Sequence, residues 1–579
     1  MAKIETPPTG YEIIQGAEVF SHGHLPLAAA FCRSLGLIEL VNRMVPSEMD
    51  LRPGLAVQAM VLDTLSGRTP LYRLEQFMAE QDCEMLLGED VDPHLFNDNN
   101  IGRSLDAIFN AGSSKVITEL GIRTAQKFSL DTSVVSYDTT STSVWGDYLS
   151  CKSEKPPQGP VVTHGHSKDS RPDLKQFMTE LLCVERGVPL FGKTLNGNSS
   201  DKSSNNEMLT RISSIMASHG LGPGAFVYVA DSAMITRDNL AITGGNTRFV
   251  SRLPATYKAC SQAIGNAVNT DNWEEIGRLV ETPGTRKRPG AHYKAFETTV
   301  ELYEKSYRAV VIHSDSHDKR RQKKLDKDLQ RSNKELHEKL KKTITMYHCE
   351  ADALDAAEKI SSISNLLHKV ETGIHKFEVR RPGRPSKKGS SLTRTKYKLE
   401  WTVVANDDAV ERRRQVASCF VLISNVATVG NHCLNAKELL RVYKGQYGVE
   451  SDFGFLKDPI IVNDTFLKSP RHIDALGMVL IIALLVWRLM ERSMRAWVDN
   501  TGKTLPGWDN KRTTKPTSFM LSKSIYGIQV LLTKDNTRHL LRKPTLPQME
   551  YLTALGLGTN AFIDPRHKCQ PIIPLKVDH

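Results

Sequence analysis

The sequence lacks the patterns that mark membrane, secreted and disulfide-rich proteins. Its longest apolar run, residues 475–487, contains a glycine and is shorter than the roughly 20 residues that a bilayer-spanning helix needs. The nine cysteines are scattered over 579 residues without a Cys-x-x-Cys pair, which argues against a disulfide framework or a cysteine zinc site. The first residues contain no apolar signal segment. We therefore expect a cytoplasmic protein, with the apolar run in a buried helix.

Several enzyme signatures are also missing. The chain contains no phosphate-binding Gly-x-x-x-x-Gly-Lys-[Ser/Thr] loop, no His-Glu-x-x-His and no Gly-x-Ser-x-Gly. Its composition, 40% hydrophobic and 24% charged, is that of a globular protein and excludes a wholly disordered or fibrous chain. A length of 579 residues suggests about three or four domains.

Basic residues outnumber acidic ones, and the excess is clustered. The chain carries 76 Lys and Arg against 65 Asp and Glu, a formal net charge of +11. Eleven basic residues fall in 319–342, eight in 380–398 without any acid, and twelve against five acids in 501–579. Such clusters suit either a track for a phosphate backbone or a solvated protein surface. Charge alone leaves both open.

The apolar pattern changes along the chain and predicts five regions. Residues 1–130 have apolar spacings of three and four and predict a helical domain, for DNA binding or for packing. Residues 131–254 alternate strands with helices, and two helices in 421–500 complete a mixed α/β unit. Between them, 255–420 combines strands with a basic helix and is predicted to be an insertion. The tail, 501–579, is basic and has short elements.

Two aspartates follow short predicted strands. Asp138 comes after Val-Val-Ser-Tyr, and Asp231 after Phe-Val-Tyr-Val-Ala. A buried carboxylate is costly unless it is paired, hydrogen-bonded or bound to metal, and α/β sheets bind ligands at the carboxyl ends of their strands. If the two strands are adjacent and parallel, their carboxylates suit Mg²⁺. The alternative is an ordinary turn acid, and Asp231 can cap a helix that starts near Met234.

Glu450 occupies an unexpected face of a predicted helix. On one continuous helix over 439–457, Glu450 lies within about 60° of Tyr443, Phe453 and Lys457. A solvated glutamate belongs on the opposite face, so the pattern favours a ligand role. A buried Glu–Lys contact is the alternative, although seven residues are too many for direct pairing along a helix.

Together, Asp138, Asp231 and Glu450 form a set of three carboxylates from two strands and a helix. Such a set can hold two Mg²⁺ ions about 3.5–4 Å apart, with Mn²⁺ as a substitute. One ion would activate a water or a 3′-hydroxyl, and the other would stabilise the leaving oxygen. The expected chemistry is in-line attack at a phosphodiester.

The sequence around these residues resembles bacterial insertion-sequence transposases of the DDE type. Residues 443–457 read YKGQYGVESDFGFLK and are similar to the Tyr-x2-Arg-x3-Glu-x6-Lys signature, with Gln446 in place of the arginine. YDTTS around Asp138 and VADSAM around Asp231 resemble the two Asp motifs of that family.

Further segments resemble one large subgroup of the same family. Residues 165–176 and 197–201 are similar to companion segments of that subgroup, and the N-terminal helical region is similar to its leader domain. The resemblance covers roughly residues 15–500. It implies an α/β fold with a ribonuclease H-like mixed-sheet catalytic core, split by a large insertion and preceded by the helical domain.

The resemblance also implies an activity and a partner. The protein would cut double-stranded DNA at the inverted-repeat ends of an insertion sequence and join them to target DNA, with Mg²⁺ and as a homodimer on DNA, without a membrane. Tyr443 and Lys457 would contact DNA phosphates, with Gln446 at the position of a third contact. A basic loop would enter a minor groove or track phosphates; its residues are Arg380, Arg381, Arg384, Lys387 and Lys388.

Some residues and functions remain open. Trp273 or Trp401 could stack on an unpaired base or could be hairpin and core aromatics. His164 and His166 make a poor zinc pair and are expected in a loop. Two other functions compete with transposition: a non-catalytic DNA-binding protein derived from a transposase, and a ribonuclease H-like nuclease without a joining step.

Overall fold

The computed structural model describes residues 16–575, apart from short gaps. The gaps are residues 68, 147, 149–157, 186, 223, 245–246, 280–289, 316–318, 381–392, 429–432, 459–466 and 468. The chain divides into two compact units. The first lies mainly within Met1–Ser251 and Leu439–His579, and the second within Arg252–Val429 and Cys433–Glu438.

Helices and strands alternate over most of the described chain. The helices are α1 Leu25–Leu35, α2 Leu37–Met44, α3 Pro53–Ser66, α4 Leu74–Ala79, α5 Cys83–Leu87, α6 Asp98–Ala111, α7 Ser113–Phe128, α8 Asp201–Ser218, α9 Arg237–Thr243, α10 Lys258–Thr270, α11 Lys319–Leu340, α12 Glu350–Ser361, α13 Asp407–Ala417, α14 Ala436–Gly445, α15 Tyr447–Leu456, α16 Pro470–Thr501, α17 Ser518–Ile525 and α18 Leu546–Ala554. The strands are β1 Glu18–Phe20, β2 Val134–Val144, β3 Lys175–Val184, β4 Val188–Leu195, β5 Val227–Ala230, β6 Arg248–Arg252, β7 Glu274–Arg278, β8 His292–Leu302, β9 Lys305–Ser314, β10 Met346–Tyr347, β11 His368–Arg380, β12 Thr393–Ala405, β13 Cys419–Ser424, β14 Leu505–Pro506, β15 Arg512–Thr513, β16 Val530–Leu532 and β17 Arg538–Leu540.

The first unit contains a run of five strands in the order β4-β3-β2-β5-β6. Strands β2, β3 and β4 are antiparallel neighbours, whereas β2 and β5, and β5 and β6, pair in parallel. All four residues of β5 are buried, as expected for a short apolar strand covered on both faces. The predicted mixed α/β character is confirmed.

Helix α16 forms the centre of the first unit. It packs against α1, α3, α6, α7 and β4. Its approach to β4 is close, since a Cβ on Gly477 would lie 2.1 Å from the Thr194 hydroxyl oxygen. The helix is long and apolar enough to cross a membrane, but 89% of its most apolar stretch is buried within the protein. The predicted core helix is thus confirmed.

The second unit combines a sheet with a long hairpin. Its strands β13, β9, β8 and β7 are neighbours in that order, and β11 pairs with β12 over thirteen positions. The basic helix predicted within 255–420 is present as α11.

Two predictions about organisation differ from the structure. The helical N-terminal region and the strands up to Ser251 belong to one unit, because α16 packs against both of them. The single continuous helix predicted over 439–457 is two helices, α14 and α15, which are separated at Gln446.

Candidate active site

Two adjacent parallel strands place Asp138 and Asp231 at the same level of the sheet. The ladder between β2 and β5 pairs Ser136 with Val229, and each aspartate lies two residues further along its own strand. Strand β5 ends at Ala230, so Asp231 is at a strand end as predicted. Strand β2 continues to Val144, so Asp138 lies within its strand, because β2 keeps its pairing with β3. The predicted parallel arrangement is present.

Asp201 and Lys168 complete this cluster, although sequence reasoning did not select them. Asp201 is the first residue of α8, and its Oδ1 accepts a hydrogen bond from the Thr139 hydroxyl at 2.5 Å. The Lys168 ammonium lies 3.2 Å from Asp201 Oδ1 and 3.8 Å from Asp138 Oδ1. Both residues lie within 165–176 and 197–201, and the predicted resemblance of these segments to a transposase subgroup was the signal that could have selected them.

Burial and mutual repulsion disfavour the charged forms of the paired aspartates. Burial raises the pKa of Asp138 to about 7, Lys168 opposes this, and the negative charge of Asp231 adds to it. Burial also raises the pKa of Asp231, the Ala233 N–H lowers it, and Asp201 raises it. The cluster has more acidic than basic groups, and a cation would therefore stabilise it.

The carboxylate pair fits a divalent cation that also binds substrate. Within the described ranges, no group of three or more His, Cys, Asp or Glu side chains is arranged to hold a metal ion. Mg²⁺ is commonly held by only one or two carboxylates together with phosphate oxygens and waters. Asp138 and Asp231 match that donor set.

Glu450 lies on the exposed face of α15. The prediction that Glu450 lies on a face turned away from solvent is wrong, because Tyr447, Glu450, Ser451 and Gly454 form the exposed side of α15. On α15, Val449 and Phe453 are buried, whereas Tyr447 is 72% exposed.

Two contacts place α15 beside β2 and β3. The Gln446 side-chain amide donates to the carbonyl oxygen of Tyr137 at 3.5 Å, directly before Asp138. Two residues after Glu450, Asp452 accepts a hydrogen bond from the Cys183 thiol at 3.4 Å, and Cys183 pairs with Ser136 across the β2–β3 ladder.

Asp452 also anchors α15 to α16 through a buried ion pair. The Arg488 Nε atom lies 2.6 Å from Asp452 Oδ1, and Arg488 also donates to the Ser451 hydroxyl and to Glu491. Burial raises the pKa of Asp452 to about 7, although Arg488 opposes this. Sequence reasoning missed the pair, whose members are 36 residues apart.

The predicted DNA-contact residues near Glu450 differ in accessibility. Gln446 is buried, and its amide is directed to a main-chain carbonyl oxygen; its contact with DNA stays a prediction. Tyr443 is half-buried. The Lys457 ammonium pairs with Asp169 Oδ1 at 2.6 Å.

The basic loop of the second unit is only partly described. Arg380 is exposed at the end of β11. Arg381, Arg384, Lys387 and Lys388 lie outside the described residues.

The remaining candidate side chains have structural partners or lie at the surface. Trp273 packs against Phe296 and His313, and Trp401 packs against His337, which favours the core and hairpin alternatives. His164 and His166 are exposed in the loop before β3, as expected.

Comparison with known proteins identifies one segment. Residues 17–122 match a family described as a domain of unknown function, DUF4277. This segment begins just before β1 and includes α1 to α6 and part of α7. No curated protein matches the chain.

Proposed function

We propose that this protein is a DDE-type DNA transposase with a ribonuclease H-like core. It would cut the ends of an insertion sequence and join them to target DNA. The observation that carries this proposal is the matched register of Asp138 and Asp231 on parallel neighbouring strands. Two largely buried carboxylates at one level of a sheet are costly unless they are paired, hydrogen-bonded or bound to a cation, and this cluster has more acidic than basic groups.

The strand order supports the ribonuclease H-like core. An antiparallel β2-β3-β4 meander followed by β5 and β6, both parallel to β2, places β2 at the centre of the five strands. The proposed acids lie on this central strand and on its parallel neighbour. Asp231 follows the end of β5, and the carboxyl ends of strands are the usual ligand sites of α/β sheets.

Each residue has a defined task in the proposed reaction. Asp138 and Asp231 would hold Mg²⁺, which activates the attacking oxygen and stabilises the leaving one. Glu450, exposed on α15, would provide a third carboxylate from the helix that Gln446 and Asp452 dock beside β2 and β3.

Lys457 would bind a DNA phosphate as a point charge. In the DNA-free protein its ammonium is paired with Asp169. Because an exposed ion pair of this type is weak, a phosphate can replace the carboxylate at little cost.

Cleavage of DNA carrying the sequences that flank the gene tests the proposal. Wild-type protein is expected to nick end-labelled duplex in Mg²⁺, whereas Asp138→Asn and Asp231→Asn should lose at least a hundredfold in rate. Asp238→Asn is the matched control, because Asp238 is exposed on α9 in the same unit. Undiminished nicking by Asp138→Asn would overturn the assignment.

A non-catalytic DNA-binding protein is the second candidate. The position of Lys168 among the carboxylates and the engagement of Lys457 by Asp169 favour it, because both contacts occupy groups that catalysis needs. DNA binding without any metal-dependent nicking by the wild type would select this candidate. Nicking without joining of cut ends to a second duplex would select a nuclease.

A further inference from the structure

Lys168 occupies the middle of the carboxylate cluster. Its ammonium is 3.2 Å from Asp201 Oδ1 and 3.8 Å from Asp138 Oδ1, and 27% of its side chain is exposed. We propose that Lys168 is an internal counter-cation, which neutralises these acids in the metal-free protein and competes with a divalent cation for them. This inference rests on the proposed function.

The strand that carries Asp138 holds Lys168 in place. The Lys168 ammonium donates to the main-chain oxygen of Thr139 at 2.5 Å, and it lies 3.1 Å from the Thr139 hydroxyl. The Lys168 main-chain N–H donates to the Ser141 hydroxyl at 2.9 Å. Both the side chain and the backbone are thus tied to β2, which distinguishes this contact from a solvated surface ion pair.

A bound divalent cation must displace this ammonium. The two positive charges would share the same acidic oxygens, and like charges at such distances repel strongly in a partly buried site. The displaced ammonium would then be available to bind a phosphate oxygen, for which Lys is a suitable ligand.

The loop that carries Lys168 also contacts Lys457. Asp169, the next residue, binds the Lys457 ammonium at 2.6 Å. A cation that displaces Lys168 and a phosphate that binds Lys457 would therefore each break a contact made by one of two consecutive residues, Lys168 and Asp169. We expect the two events to favour each other.

Mn²⁺ binding to DNA-free protein, measured by electron paramagnetic resonance at pH 8, tests the inference. Lys168→Met is expected to bind Mn²⁺ at least tenfold more tightly than wild type, equivalent to about 1.4 kcal/mol. Lys202→Met is the control, because it removes the same charge next to Asp201 from an exposed side chain. It should leave the affinity unchanged.

Stability provides a second readout. In EDTA, Lys168→Met should unfold at a lower urea concentration than wild type, and Mn²⁺ should restore the midpoint. Should Lys168→Met not fold, Lys168→Gln removes the charge but keeps an N–H donor for the Thr139 carbonyl oxygen.

The outcomes separate this inference from the proposed function. Equal or weaker Mn²⁺ binding by Lys168→Met or Lys168→Gln, with wild-type binding that Asp138→Asn abolishes, would overturn the role of Lys168 alone. Absence of Mn²⁺ binding to wild type and to every lysine variant would overturn both the metal site and this inference.

Discussion

Replacing Asp138 by asparagine is expected to stabilise the metal-free protein at neutral and alkaline pH. The carboxyl is buried beside Asp231, so folding disfavours its ionised form. Its pKa is raised by folding, and the native state therefore retains a proton that the unfolded state releases. Stability consequently falls as pH rises from the unfolded pKa to the folded one. An asparagine at this position carries no such penalty.

The magnitude follows from the two pKa values. The pKa of Asp138 rises from 3.8 to about 7 on folding. At 1.36 kcal/mol for each pKa unit, the ionisation penalty is about 2 kcal/mol at pH 5 and about 4 kcal/mol at pH 8. The side chain is only 20% exposed, so solvent screening reduces this little. The stability advantage of Asp138→Asn should therefore widen by about 2 kcal/mol between pH 5 and pH 8.

Urea unfolding in EDTA at the two pH values measures this difference. Asp238→Asn is the control, because its exposed carboxyl should give the same stability difference from wild type at both values. A stability difference between Asp138→Asn and wild type that stays constant with pH, or a less stable Asp138→Asn at pH 8, would refute the account of this buried acid.

Three further predictions concern packing and DNA contact. Asp452→Ala should cost about 1.5–3 kcal/mol in urea unfolding, because Arg488 loses its charged hydrogen bond to Asp452 and keeps only those to Glu491 and Ser451; an unchanged free energy of unfolding would contradict the ion pair's structural role. Gly477→Ala should lower stability by about 1–3 kcal/mol, because its Cβ would overlap β4, whereas Gly454→Ala, with open space around it, should not; equal effects would contradict the close approach of α16. Lys457→Met should weaken DNA binding and reduce the slope of log affinity against log salt by about 1, measured by fluorescence anisotropy; an unchanged slope would exclude a phosphate contact.

Local sequence patterns predicted several strands of the sheet in the first unit. Short apolar runs ended at aspartates and predicted strands that the structure contains as β2 and β5. Parallel pairing of these strands was a condition of the metal-site hypothesis, and the ladder between them satisfies it. The apolar pattern of a strand depends only on residues that are close in sequence, so the sequence alone can predict it.

Contacts between distant segments were harder to predict. Lys168 and Asp201 meet Asp138 only because the loop before β3 and the start of α8 both reach β2. No periodic pattern in the sequence predicts either contact. The face of Glu450 was predicted wrongly: the helical wheel was drawn over one helix, whereas 439–457 contains two, and Glu450 lies on the exposed side of the second.

The most direct test of the central claim is a change of metal preference at Asp231. A thiolate is a poor ligand for Mg²⁺ and a better one for the softer Mn²⁺. Asp231→Cys is therefore predicted to lose DNA nicking in Mg²⁺ and to recover part of it in Mn²⁺, while Asp231→Asn stays inactive in both. Full nicking by Asp231→Cys in Mg²⁺ would contradict a carboxylate-bound cation at this site.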